Sequence, residues 1–326
     1  MRSHRRVTLL VGLVAALGLA AGCTISNDKG PSTTQAAGSG SIKEIGALKG
    51  VKLVVGSKEF DEQLLLGQIA IAALKATGAD PVDKTNITGS DTVRTALTNG
   101  SIDLYWEYTG TGWVSFLKQT TTFTEPAKLY DAVRAADAKN SITWWPPAPA
   151  NDTYAIAINR EAAAKYHVTT LSEYAALAKQ DPAAASTCIG PEFSSRDDGF
   201  PGLQKAYGFT LPANSIHVLN DAVIYPTAGR GGTCNFGEVA TTDGRVSAQQ
   251  LTPLEDDKHF FPIYNPCVTI RTSVAEKYPE LEPVFTAIAQ KLTTPELTAL
   301  NKKVSVDGQK SDVVATEWLK SAGFIG

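Results

Sequence analysis

Short β-branched runs alternate with helix-patterned runs along nearly the whole body of this chain. Residues 51–55, 102–106, 154–158, 187–189, 235–240 and 266–271 read as strands. Between them, residues 64–76 carry Leu65, Ile69, Ala72 and Ala73 on one helical stripe. Ser90 is placed to cap a second helix that holds Val93, Ala96 and Leu97 and stops at Asn99-Gly100. Further helices are predicted at 127–139, 171–178 and 202–207, and three more at 281–292, 295–301 and 311–321. Pro146, Pro147 and Pro149 forbid regular structure between the two halves of this pattern. Strand–helix alternation is satisfied by an α/β fold with parallel-rich sheets covered by helices on both faces. The body is long enough for two such lobes. Ligands of open α/β sheets bind beyond the carboxyl ends of the strands. Here the loops at those ends, residues 56–60, 88–91, 105–111 and 192–196, are polar and aromatic.

The N-terminus sets the compartment. Arg2, Arg5 and Arg6 precede an apolar run over residues 7–21 that is too short for a membrane span. A basic segment, an apolar segment and small residues before a cut make a secretory signal. The run ends in Leu19-Ala20-Ala21-Gly22-Cys23, which resembles a bacterial lipobox. In such signals the cysteine thiol is acylated and becomes the first residue, so residues 1–22 are expected to be removed and Cys23 lipidated. That cut takes away three arginines and no acid, and moves the formal charge from −3 to −6. Residues 24–50 are rich in Ser, Thr, Gly and Ala and read as a flexible tether spanning roughly 30 Å. The expected location is the extracytoplasmic face of the cell membrane. With 33 acids against 30 bases, no basic excess exists to hold a nucleic acid.

If Cys23 is lipidated, Cys188, Cys234 and Cys267 remain in an oxidising compartment. We expect a Cys188–Cys234 bridge with Cys267 buried and free; three buried thiols is the alternative. No CxxC pair occurs and the four histidines are scattered, which argues against a zinc site.

Six blocks stand in order along the body: Gly56-Ser-Lys-Glu-Phe-Asp-Glu-Gln63, Asp103-Leu-Tyr-Trp-Glu-Tyr-Thr-Gly-Thr111, Asn151-Asp-Thr-Tyr-Ala155, Phe193-Ser-Ser-Arg-Asp-Asp-Gly199, Thr242-Asp-Gly-Arg245 and Leu254-Glu-Asp-Asp-Lys-His-Phe-Phe-Pro262. Together they resemble the substrate-binding proteins of glycine betaine/choline/carnitine ABC transporters, over residues 51–322. The resemblance implies a hinged, two-lobed clamshell of the periplasmic-binding-protein kind, with a chain that crosses between lobes twice. Lobe 1 is then 51–149 plus 265–326 and lobe 2 is 150–264. It also implies a monomer that docks on ABC permease subunits and needs no cofactor.

The ligand class makes a chemical demand. A trimethylammonium group has no N–H to donate, so aromatic faces and a nearby negative charge must hold it. A carboxylate tail wants Arg, Lys and hydroxyl donors. By resemblance, Tyr108, Tyr154 and Tyr264 fall at the cage positions, with Asp152 as charge partner. Lys58, Thr111 and Arg196 fall at the carboxylate positions, and Phe60 and Asp91 on the rim. Where the family has an aromatic residue before the Thr-Asp-Gly block, this chain has Ala240. The missing wall is then left out or supplied by Trp106, Trp144, Trp145 or Tyr225. Each residue also has a plainer reading: the tyrosines as half-buried strand aromatics, Arg196 as an ion pair with Asp197 or Asp198, and Lys58 as a solvent-facing side chain. Trp144-Trp145 reads more simply as packing at the lobe crossing.

Three function classes follow. Capture of a quaternary ammonium solute for a permease is the leading one. An enzyme would need a nucleophile beside a base, and no Gly-x-Ser-x-Gly elbow or Ser–His or Cys–His motif is present. A sensing or scaffolding lipoprotein of the same fold is the third, and Ala240 is the feature that points to it.

Overall fold

The computed structural model describes residues 40–326. The expected leader, Cys23 and most of the expected tether lie outside the described residues.

Among the described residues, ten strands build two sheets. They are β1 (Lys52–Lys58), β2 (Asp80–Ile87), β3 (Leu104–Tyr108), β4 (Ile142–Trp144), β5 (Tyr154–Ile158), β6 (Thr187–Ile189), β7 (Ile216–Val218), β8 (Phe236–Ala240), β9 (Thr252–Pro253) and β10 (Pro266–Arg271). The first sheet has the order β2-β1-β3-β10-β4 and the second β7-β6-β8-β5-β9. In the first, β2, β1 and β3 are parallel, and β10 lies antiparallel between β3 and β4. The second repeats the plan, with β5 antiparallel between β8 and β9. Each reversed strand is the first one laid down after the chain crosses over. A chain that leaves one lobe at the cleft end of its strands must enter the next lobe from the cleft. It therefore runs against strands whose carboxyl ends point there. Two α/β lobes with a twice-crossed hinge are thus the observed architecture.

Apolar pattern explains the helices that matter for the site. The helix Asp61–Ala76 buries Leu65, Leu66, Ile69, Ala70, Ala73 and Leu74, because it lies between the first sheet and the helix Ser311–Ser321. Its first turn carries Asp61 and Glu62, favourable charges at a helix N-terminus. The second lobe has its own core around Ile156, Tyr174, Phe193, Phe200 and Phe236. Trp145 stacks on Phe285 at 5.4 Å in the first lobe's core, and Trp144 is buried with its indole N–H donating to Asp137 at 2.7 Å. Among the described residues, no helix is long and apolar enough to cross a membrane.

Two expectations need correction. Residues 40–50 belong to the body, not to the tether. Ser41 and Ile42 donate backbone hydrogen bonds to Gly323 and Phe324, Gly46–Leu48 forms a 3-10 turn, and Leu48 is fully buried. Ile42, Ile45 and Leu48 fall three apart and dock one stripe on the core, a pattern masked by the polar residues between them. Ser90 is the first residue of the helix Ser90–Thr98, and Gly89 occupies the cap position.

The two crossovers run side by side. The Asp152 amide donates to the Tyr264 carbonyl at 3.1 Å, and the Tyr264 amide donates to Asn151 Oδ1 at 2.8 Å. Asn265 Nδ2 donates to the Ala150 carbonyl at 2.7 Å. A Cys188–Cys234 disulfide ties β6 to the segment leading into β8, and Cys267 is a free, buried thiol.

Candidate functional site

The carboxyl ends of the strands and the two crossovers surround one crevice of about 90 Å3. At roughly 10–15 Å3 for each water-sized group, that is room for a small solute. β1 ends at Lys58, β3 ends at Tyr108, β8 leads to Thr242, and the crossovers deliver Asp152, Tyr154 and Tyr264. Phe60 and Thr111 line it as well, while Glu192, Phe193 and Tyr225 close it from the second lobe.

The aromatic rings form two groups. Tyr154 meets Tyr264 edge-on at 5.4 Å and Phe193 at 5.0 Å. Phe60 stacks beside Tyr108 at 6.3 Å across the crevice. Gly110 makes room for this arrangement, since a Cβ there would sit 2.9 Å from the Tyr264 ring. The Tyr264 hydroxyl donates to Asp198 at 2.7 Å, which fixes the ring's direction. Tyr225 stands beside Ala240, whose amide donates to the Tyr225 hydroxyl at 3.2 Å. Tyr225 therefore lines the crevice at the place where an aromatic side chain is absent, and Trp106, Trp144 and Trp145 are buried in lobe 1 instead.

A carboxyl pair lies below these rings. Glu62 accepts from the Tyr108 hydroxyl at 2.8 Å and from Thr242 at 2.6 Å, and Thr242 also lies 2.6 Å from Asp152 Oδ1. Asn301 donates to Glu62 and, at 3.1 Å, to the Thr242 carbonyl. One threonine hydroxyl carries one proton, so it donates to one carboxyl and accepts from the other. The second carboxyl must itself hold a proton. Burial, with the Glu62 charge next to it, pushes Asp152 well above the usual carboxylate range, and burial also raises Glu62.

The cations are already engaged. Lys58 Nζ donates to Glu107 Oε1 at 2.7 Å and sits 5.1 Å from the Tyr108 ring centre. Glu107 is fully buried and accepts as well from the Tyr105 hydroxyl and the Tyr108 amide, both at 2.8 Å. Arg196 forks onto Asp198, with Nε at 2.7 Å, and reaches Glu192 Oε1 at 2.7 Å through Nη1. Glu192 also accepts from the Ser90 amide of the first lobe at 3.3 Å. Lys58 and Arg196 hold it ionised, down to about 2 against the cost of burial. Arg245 pairs with Asp243 at 2.6 Å and reaches Asp61 of lobe 1 at 3.2 Å. The lobes therefore touch through Thr242–Glu62, Glu192–Ser90 and Arg245–Asp61, and the crevice is shut.

Seven of the sequence-predicted residues line this crevice: Lys58, Phe60, Tyr108 and Thr111 from lobe 1, and Asp152, Tyr154 and Tyr264 from the crossovers. Arg196 and Asp91 do not. Both line an outer cavity that shares Phe60 and Glu192 with the crevice. Arg196 lies behind Tyr154, its guanidinium 5.7 Å from that ring centre, because Asp198 and Glu192 hold it there. Sequence reasoning missed Glu62 and Asn301. An acid in the first turn of a helix opening at the cleft was the available signal for Glu62; Asn301 comes from a C-terminal helix and carried none.

The family model for the substrate-binding domain of the ABC-type glycine betaine transport system matches residues 51–321. The chain belongs to this family. It is a substrate-binding protein of betaine/osmoprotectant-type ABC transport, a family of transport proteins and not of enzymes. The glycine-betaine-binding protein of Pseudomonas aeruginosa is 31% identical over 273 residues, covering 82% of this chain and 87% of that one. Glycine betaine-binding protein YehZ of Escherichia coli is 33% identical over 284 residues, covering 83% and 90%. The solved structure of apo YehZ matches with a TM-score of 0.62 at 31% identity, covering 84% of this chain and 99% of that one.

Proposed function

We propose that this chain is an extracytoplasmic lipoprotein, anchored through Cys23, that captures a quaternary ammonium compatible solute and hands it to an ABC permease. The observation that carries this reading is the crevice itself. Tyr108 from one side, and Tyr154 and Tyr264 from the other, converge on a space that also holds Asp152 and Glu62. Faces of neutral rings beside carboxyls suit a cation that has no hydrogen to donate. Burial keeps all three phenols protonated by raising them well above their ordinary value of 10.0. The names of the relatives, which bind glycine betaine, support the same ligand class.

Capture needs no chemical step. Contacts from both lobes to one solute favour the shut state, and a permease can then tell loaded from empty. Isothermal titration against glycine betaine, choline, carnitine, proline betaine and ectoine checks the reading. Micromolar-range binding of at least one, without turnover, is expected. Absence of heat with every one of them rejects the ligand class.

A further inference from the structure

This inference rests on the quaternary-ammonium reading above and sharpens it. We propose that Glu192 fills, with the chain's own carboxylate, the position where a ligand carboxylate was expected, so that the crevice prefers a choline-type cation over a zwitterionic betaine.

A ligand carboxylate in this site would need Lys58, Thr111 and Arg196. One of the three Lys58 N–H donors already goes to the buried Glu107, at 2.7 Å. Arg196 gives Nε and Nη2 to Asp198 and Nη1 to Glu192, and its Nη2 also approaches the Thr111 hydroxyl at 3.4 Å. The group these cations surround is already present: Glu192, reached by Arg196 at 2.7 Å and by the Ser90 amide at 3.3 Å, within the field of Lys58. A second carboxylate brought beside this half-buried one would meet a like charge.

The remaining charges lean the same way. The other basic side chain lining the crevice is Arg245, and Asp243 and Asp61 neutralise it. Glu62, Asp152 and Glu238 line the crevice too, bonded to hydroxyl, amide or phenol donors rather than to a cation; burial raises all three, and the proton shared by Glu62 and Asp152 leaves that pair with one charge at most. The outer cavity adds Glu59 and Asp91 to the approach. Lys118, Arg196 and Arg245 line that cavity as well, but its six acids outnumber them, and an acid-rich approach raises the local concentration of cations. A solute with an ammonium head and a hydroxyl tail satisfies this lining. One with an ammonium head and a carboxylate tail does not.

The test is paired titration of the purified protein and of Glu192→Gln with choline and with glycine betaine at neutral pH. The wild type is expected to bind choline at least tenfold more tightly, about 1.4 kcal/mol at about 25 °C. In Glu192→Gln, which keeps the side-chain volume, the ratio is expected to collapse or invert as betaine gains and choline loses. Equal or tighter betaine binding by the wild type overturns the proposal, and so does an unchanged ratio in a folded variant. Should the variant fail to fold, the wild-type ratio alone decides. Binding of neither solute, nor of any other quaternary ammonium, would instead remove the reading beneath it, so the two failures are distinguishable.

Discussion

Thr242 has one hydroxyl proton and two carboxyl neighbours, Glu62 and Asp152, one reached from each side of the crevice. The proton that must sit on one of those acids links closure to pH. Their ordinary values are 4.5 and 3.8, and both are raised in the folded protein, by burial first and for Asp152 by the Glu62 charge next. Above those ordinary values the folded chain holds a proton the unfolded chain has lost. The contribution to stability is complete below them and is lost as pH rises through the raised folded values. Glu192 has the opposite sign: with a folded value of about 2, its contribution is present above 4.5 and lost as pH falls toward 2. The thermal midpoint should therefore fall as pH rises through the window above the ordinary carboxylate value of 4.5, and Asp152→Asn should flatten that slope. A wild-type midpoint that does not move in this window, or a variant with the wild-type slope, speaks against the shared proton.

A second expectation at this scale concerns Tyr154. A desolvated ring contact with a cation is worth up to about 2 kcal/mol, so Tyr154→Leu should weaken solute binding by about tenfold to thirtyfold. Affinity within twofold of wild type would place the cation elsewhere. Lys58, Tyr108, Thr111, Asp152 and Tyr154, which stand in the short blocks, all reach the crevice, and Tyr264, two residues beyond the last block, reaches it too. What local sequence did not contain was who pairs with whom. The Arg196–Asp198 pair is the plainer reading that the sequence already offered for Arg196, whereas Lys58 pairs with Glu107, 49 positions away. The same blindness hid the Glu62–Thr242 contact, whose partners lie 180 positions apart.

Among the elements, strands with two buried faces were plain in the sequence and exposed ones were not. β5, β6 and β10 were read with their observed ends, since each is a short apolar run bounded by polar residues. β2 escaped because it is an edge strand that carries Pro81, Asp83 and Lys84 and has no fully buried residue, a composition that edges use against unwanted pairing. The helix Asp221–Arg230 escaped because Pro226 stands inside it, where the lost N–H argues against a helix. Yet this helix supplies Tyr225 to the crevice wall. It packs against β8 and β6, and the Cys188–Cys234 bridge joins those strands' neighbourhoods, with buried Ile224 beside the sulfurs. Replacing both cysteines with alanine removes a cross-link spanning 46 positions. A loss of about 2–5 kcal/mol, read as a midpoint drop on the order of 10 °C, is expected. An unchanged midpoint would show that the strands hold this corner without it.

At the scale of the whole molecule, one rule explains where the site lies. Two lobes of the same strand order face each other across the ends of their strands, and both crossovers pass through that space. The chain must therefore place two loops, Asn151 to Tyr154 on one and Tyr264 to Asn265 on the other, between the halves it hinges. Strand–helix alternation was enough to anticipate this plan. It was not enough to anticipate that residues 40–50 complete the core of the first lobe, or that acids across the crevice hold the lobes shut. Closure by the chain's own contacts also frames the function: a solute must replace part of that network, and its charge decides which part. The most direct measurement is a crystal structure of the protein grown with choline. The account predicts the ammonium seated among Tyr108, Tyr154 and Tyr264, close to Asp152, with Glu192 still on Arg196. A crevice without solute, or an ammonium resting outside those rings, would contradict it.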